Sequence, residues 1–177
     1  SNGHITASGN ISASGTITAP NFTGQIVILD FIQPYITDGD SGKYYQGRNQ
    51  GVESGDWSPI ETTDPRTPND EHAQFARVLP VSMSSIGFRG GFRITGGGNV
   101  QAMIFTGSRS NWGTAATLTL GFGGSASIDA GGEGQNLFPL DIPEFAIGPN
   151  CDTVHFFVAT SDDNKIIRGT GTLYGRT

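Results

Sequence analysis

The chain has 177 residues, only 15% of them charged, and its 27 glycines are about twice ordinary usage. The formal charge is −6 with scattered Lys and Arg, which excludes the basic patch that a phosphate-tracking nucleic-acid binder needs. No apolar run approaches the roughly 18–20 residues of a membrane span and no signal-peptide pattern is present, so a soluble protein without membrane insertion is expected.

The chain opens on a repeat. In "GHITASGNISASGTITAPNF", residues 3–22, the odd positions as far as Ala19 carry Ile5, Ala7, Ile11, Ala13, Ile17 and Ala19 between glycines, and the even ones as far as Thr18 carry polar residues. Strand side chains alternate faces, so one face is small or apolar and the other polar. The six-residue unit Gly-x-Ile-x-Ala-Ser, with variants, recurs three times in register. A lone ribbon of this kind cannot offset its ordering entropy, about 1–2 kcal/mol per residue for the backbone. It must stack on itself or pair with equivalent ribbons from other chains. Solenoids need about three or more repeats plus caps, so association around a common axis is expected, with those six Ile and Ala as its core. A flexible Gly/Ser linker is the alternative, but linkers do not keep Ile in strict register.

"GNISASGTITA" leading into "PNFTG" resembles the stems of tail-fibre and receptor-binding proteins of tailed bacteriophages. The resemblance covers about residues 3–24 and implies a slender homotrimeric β stem ending in a β-rich head. It further implies a place in the virion beside other tail proteins, assembly in the host bacterial cytoplasm, and a role in attachment. It names no residue of the head.

The remainder, residues 25–177, has the size of one ordinary domain. "QIVILDFIQPYI" reads as a buried strand closed by Pro34 and the turn "TDGDSG". Residues 38–70 read as one long loop rich in Gly, Pro, Asp, Asn and Ser, and long loops in compact domains tend to be functional. A short helical turn is possible at "NDEHAQFARVL". Strand signals then recur in "AQFARVLPVSM", "GGFRIT", "NVQAMIFTG", "AATLTLGFG", "LFPLDIPEFAI", "TVHFFVAT" and "KIIRGTGTLYG". Within them Leu118, Leu120 and Phe122 share one face, as do Val154, Phe156 and Val158. The fold class expected is all-β, a repetitive trimeric β stem over residues 1–24 followed by an antiparallel β-sandwich, jelly-roll-like head of about eight strands.

Chemistry-bearing patterns are sparse. No Gly-x-Ser-x-Gly, His-Glu-x-x-His, phosphate-loop or Cys-x-x-Cys motif occurs, so no catalytic residue and no cofactor are expected. Cys151 stands alone, which rules out a disulfide within the chain and reads as a buried thiol. His155, flanked by apolar strand residues, reads as a structural histidine. Asp38 and Asp40 have the i, i+2 spacing that begins calcium loops, yet Asn49 stands where an EF-hand needs its Glu; turn chemistry accounts for the pair, and no metal is expected. Glycan cleavage needs two placed carboxylates, and Asp56, Glu61, Asp64, Asp70 and Glu71 are plentiful without being placed.

Binding is the function that the composition favours. Sugar rings are recognised by aromatic faces beside amides, carboxylates and guanidinium forks. Tyr44, Tyr45, Arg48, Asn49, Asp56 and Trp57 supply such a mixture in the long loop, and Arg109, Asn111 and Trp112 supply a second in "TGSRSNWG". The alternative for Trp57 and Trp112 is that they plug the sandwich edges or a trimer interface. The sequence therefore points to a homotrimeric virion adhesin, not an enzyme, whose partner is a bacterial surface polysaccharide or another host receptor. The rivals are a purely structural fibre element and a polysaccharide-degrading tail enzyme.

Overall fold

A computed structural model of the chain describes residues 26–32, 34–46, 60–79, 82–112, 117–129 and 137–177. The repetitive segment, with Ile5, Ala7, Ile11, Ala13, Ile17 and Ala19, lies outside the described residues, as do Arg48, Asn49, Asp56 and Trp57.

Eleven strands occur among the described residues: β1 (Ile26–Ile32), β2 (Tyr35–Gly39), β3 (Tyr44–Gln46), β4 (Ile60–Thr62), β5 (Arg77–Val78), β6 (Ser85–Ile94), β7 (Asn99–Gly107), β8 (Gly121–Asp129), β9 (Phe138–Ala146), β10 (Thr153–Thr160) and β11 (Lys165–Arg176). They form two antiparallel sheets. The first runs β1-β11-β6-β9, with β2 also on β11; the second runs β4-β3-β10-β7-β8, with β5 also on β10. From β5 onward the chain crosses repeatedly between the sheets, which makes the head the expected antiparallel β-sandwich.

The expected first strand is two. Pro34 has no N–H for the ladder, and its carbonyl instead accepts from Gly169 N at 3.0 Å. The chain resumes as β2 on the same neighbour, so Thr37 to Gly39 belong to a strand and the turn falls at Asp40–Gly42, where Gly42 takes φ +77°. The long loop is likewise interrupted. β3 and β4 pair inside it, Tyr45 opposite Glu61, and these short strands raise the count above eight. The helical turn is a 3-10 turn over Asp70–Phe75.

Inward residues of both sheets make one core. Phe156 of β10 meets Phe88 of β6 with ring centroids 4.7 Å apart and stacks on Phe92 at 6.5 Å, among Ile86, Ile104, Ile142, Val154, Val158, Ile167 and Leu173. The rings need glycine opposite them. A Cβ on Gly171 would stand 2.3 Å from Phe88 Cζ, and one on Gly169 2.4 Å from Phe92 Cε1.

The expected alternation of Val154, Phe156 and Val158 holds, but the other face of β10 is buried too. There Phe157 and Ala159 join Met103, Phe105, Leu118 and Leu120 in a second apolar cluster. The segment around the 3-10 turn and residues 117–120 cover it, tied together by Leu118 N to Pro68 O and Leu120 N to Arg66 O, each 2.8 Å. Leu118 and Leu120 are thus buried without belonging to a strand, and β8 starts only at Gly121.

Candidate functional site

The residues nominated from sequence are dispersed. Tyr45 is 2% exposed and sits in the central core, its hydroxyl accepting from Asp40 N at 2.8 Å and donating to Asp38 O at 3.2 Å. It is a core residue that staples the β2–β3 turn and presents no face to a ligand. Tyr44, its outward neighbour, is half-buried against the second cluster. Trp112, part-buried, packs there too. Arg109 is exposed and locked to Asp152, its backbone N 2.7 Å from Oδ1 and its Nε 2.9 Å from Oδ2; Asn111 ends the short 3-10 turn Arg109–Asn111. Asp40 pairs with Lys43 at 3.6 Å, and among the described residues no group of three or more His, Cys, Asp or Glu could hold a metal. Cys151 is half-buried, not enclosed. His155 is fully buried, with Nδ1 3.3 Å from Gln46 Nε2 and Nε2 unpartnered among the described residues, so it is only half satisfied.

Tyr44 lines a groove of about 300 Å³ with Arg66, Gln101, Phe105 and Phe122. Its carboxylate, Asp64, is committed to its own loop, accepting from Arg66 N at 2.9 Å and Thr67 Oγ1 at 3.0 Å. Those bonds hold Asp64 below the usual carboxylate range.

A better-equipped hollow, of about 340 Å³, lies on the outer face of the first sheet, lined by Arg89, Glu144, Thr172, Tyr174 and Arg176. Register builds it. In β11 Leu173 is buried in the core, so Thr172, Tyr174 and Arg176 point the other way. Tyr174 pairs with Gly87 of β6 on one side and Ile28 of β1 on the other. Because Gly87 has no side chain, the hydroxyl end of the Tyr174 ring lies over it: a Cβ there would stand 2.9 Å from both Cζ and Oη. Ile28, 62% exposed, extends this row outward. The flanking rows are charged. On one side Arg89, opposite Thr172, reaches Asp141 at 3.3 Å. On the other, Arg176 Nε donates to both Glu144 oxygens at 3.0 and 2.8 Å, and Ser85 Oγ donates to Oε2 at 3.0 Å. Arg176 first, then Ser85, hold Glu144 below its usual range, so it stays ionised through neutral pH, while Glu144 raises Arg176.

The arrangement offers an aromatic surface bracketed by two guanidinium groups, a fixed carboxylate and a threonine hydroxyl. That set can stack on a weakly apolar ring face and hydrogen-bond a polar rim. Its lining carboxylate, Glu144, is held by Arg176 and Ser85.

No family model and no curated protein matches this chain. Among solved structures, a match is the Clostridium thermocellum N-terminal endo-1,4-β-D-xylanase 10B, CBM22-1–GH10 modules complexed with xylohexaose, at TM-score 0.39 and 7% identity. The alignment covers 82% of this chain and spans 28% of the length of that one.

Proposed function

We propose that this chain is the distal part of a bacteriophage tail fibre, in which the head binds a bacterial surface glycan through the hollow around Tyr174. The observation that carries the binding role is the Tyr174 ring over Gly87, flanked by Arg89 and the Arg176–Glu144 pair. The Tyr174 ring is part-exposed, and the surrounding donors match the hydroxyl rim of a sugar. The fibre role is supported by the in-register repeat of residues 3–19, which needs neighbouring chains to bury Ile and Ala. Three such heads on one stem gain avidity by orders of magnitude without a tight single site.

Light scattering and a glycan array on the full chain test the two halves of this reading separately. The expected mass is about 56 kDa, three times the 18.6 kDa chain, with retention on a subset of bacterial surface polysaccharides. A monomer removes the fibre, and an array blank for every polysaccharide removes the adhesin.

A further inference from the structure

On the second sheet, away from the hollow, four buried side chains carry polar atoms close to the 3-10 turn. They are Gln46 of β3, His72 of the turn, and Thr153 and His155 of β10, exposed by 1%, 0%, 0% and 0%. Gln46 Oε1, His72 Nε2, Thr153 Oγ1 and His155 Nε2 each lack a hydrogen-bond partner among the described residues. A buried polar atom left unpaired is costly, and the large majority in native proteins are paired with protein or ordered water. Four on neighbouring side chains call for an occupant.

Their positions converge. Thr153 and His155 are two residues apart on the outward face of β10, opposite Gly107 and Phe105 of β7. Gly107 lets them approach one another: where its Cβ would stand, Leu120 Cδ2 lies at 2.7 Å, Thr153 Oγ1 at 3.2 Å and His155 Nε2 at 3.9 Å. His72 stacks on Phe157, the next outward residue of β10, with centroids 5.8 Å apart, and Gln46 touches His155 Nδ1.

Donor and acceptor roles select the occupant. The Asn69 amide oxygen beside His72 Nδ1 can only accept, so Nδ1 carries the proton and Nε2 is a bare acceptor. The Gln46 amide nitrogen can only donate, so His155 Nδ1 accepts and its Nε2 keeps the proton. The four atoms therefore present one N–H donor, two acceptors and one hydroxyl. A cation would face an N–H and no carboxylate or thiolate. Water, which donates twice and accepts twice, matches the set.

We propose that these four atoms mark a site for resident water, which bridges the 3-10 turn to β3 and β10 through His72, Gln46, Thr153 and His155. The cover over the second cluster is then hydrogen-bonded to the sheet through that water as well as packed on it.

Methyl-labelled full-length protein tests this by NMR. Persistent nuclear Overhauser contacts between the water resonance and the Thr153 methyl are expected, and their absence overturns the proposal. Thr153→Val gives a second reading that does not depend on spectra, because it keeps the shape and removes the hydroxyl. With water bound, the variant loses a hydrogen bond and its Tm falls by about 2–4 °C. In a dry space the same change removes an unpaired hydroxyl, and a raised Tm overturns the proposal.

Discussion

Acidification from pH 7 to pH 4 is expected to cost the head about 3 kcal/mol through His155 alone. Burial, first, and the nearby His72, second, lower the His155 pKa from 6.5 to about 4, and a tenfold change in proton affinity between folded and unfolded chain is worth about 1.36 kcal/mol. The unfolded chain takes up this proton near pH 6.5 and the folded one only near pH 4. The contribution is therefore complete above pH 6.5 and lost as pH falls towards 4. Burial also lowers the pKa of His72, against the opposing pull of its Asn69 contact and Glu71, so its effect has the same sign. Glu144, Asp152 and Asp64 are likewise lowered, but their ordinary values of 4.5, 3.8 and 3.8 place their losses at lower pH. Urea titrations at pH 7.0 and 4.5 on the wild type and His155→Gln separate these contributions. The variant should lose most of the slope across this window; an unchanged slope would show that His155 does not carry it.

The core supplies the other large effect. Phe88→Ala is expected to cost about 3–5 kcal/mol, because it empties the centre of the sandwich where Phe88, Phe92 and Phe156 meet. Gly171→Ala should cost about 1–3 kcal/mol by pressing a methyl into the Phe88 ring and towards Arg89 O, 2.7 Å from the added Cβ. The two are coupled. With the ring removed, only the backbone contact remains, so the double variant should be less destabilised than the two single losses added together. Additive losses in denaturant unfolding would show that the ring does not set the requirement for glycine.

Alternation makes much of this fold legible in the sequence. β7 and β10 fall where their sequences place them, and the inward triplet Val154, Phe156 and Val158 follows from period two alone. Local pattern could not show that the outward residues of β10 are also buried, because the cover comes from residues 63–79 and 117–120, distant in the chain. The same limit hid the hollow. In "GTGTLYGR" alternation puts Thr170, Thr172, Tyr174 and Arg176 on one face, and in "GFRGGFR" it groups Gly87 with Arg89. Only cross-strand register sets Tyr174 against Gly87 and joins Arg176 to Glu144 of a third strand. Aromatic content alone drew attention to Tyr45, whose ring lies in the core, and to Trp112, which packs part-buried on the second cluster. Exposure separates a platform from a core ring, and it depends on which partner a strand finds.

Glycan recognition at Tyr174 is tested most directly by titrating an array-selected oligosaccharide into wild type, Tyr174→Ala and Tyr44→Ala, with thermal melts confirming that each variant is folded. Loss of a stacked ring is worth about 0.5–1.5 kcal/mol beyond area burial, so Tyr174→Ala should weaken binding about tenfold or more, while Tyr44→Ala leaves it unchanged. Full affinity in folded Tyr174→Ala would contradict the assignment and move the site elsewhere on the head.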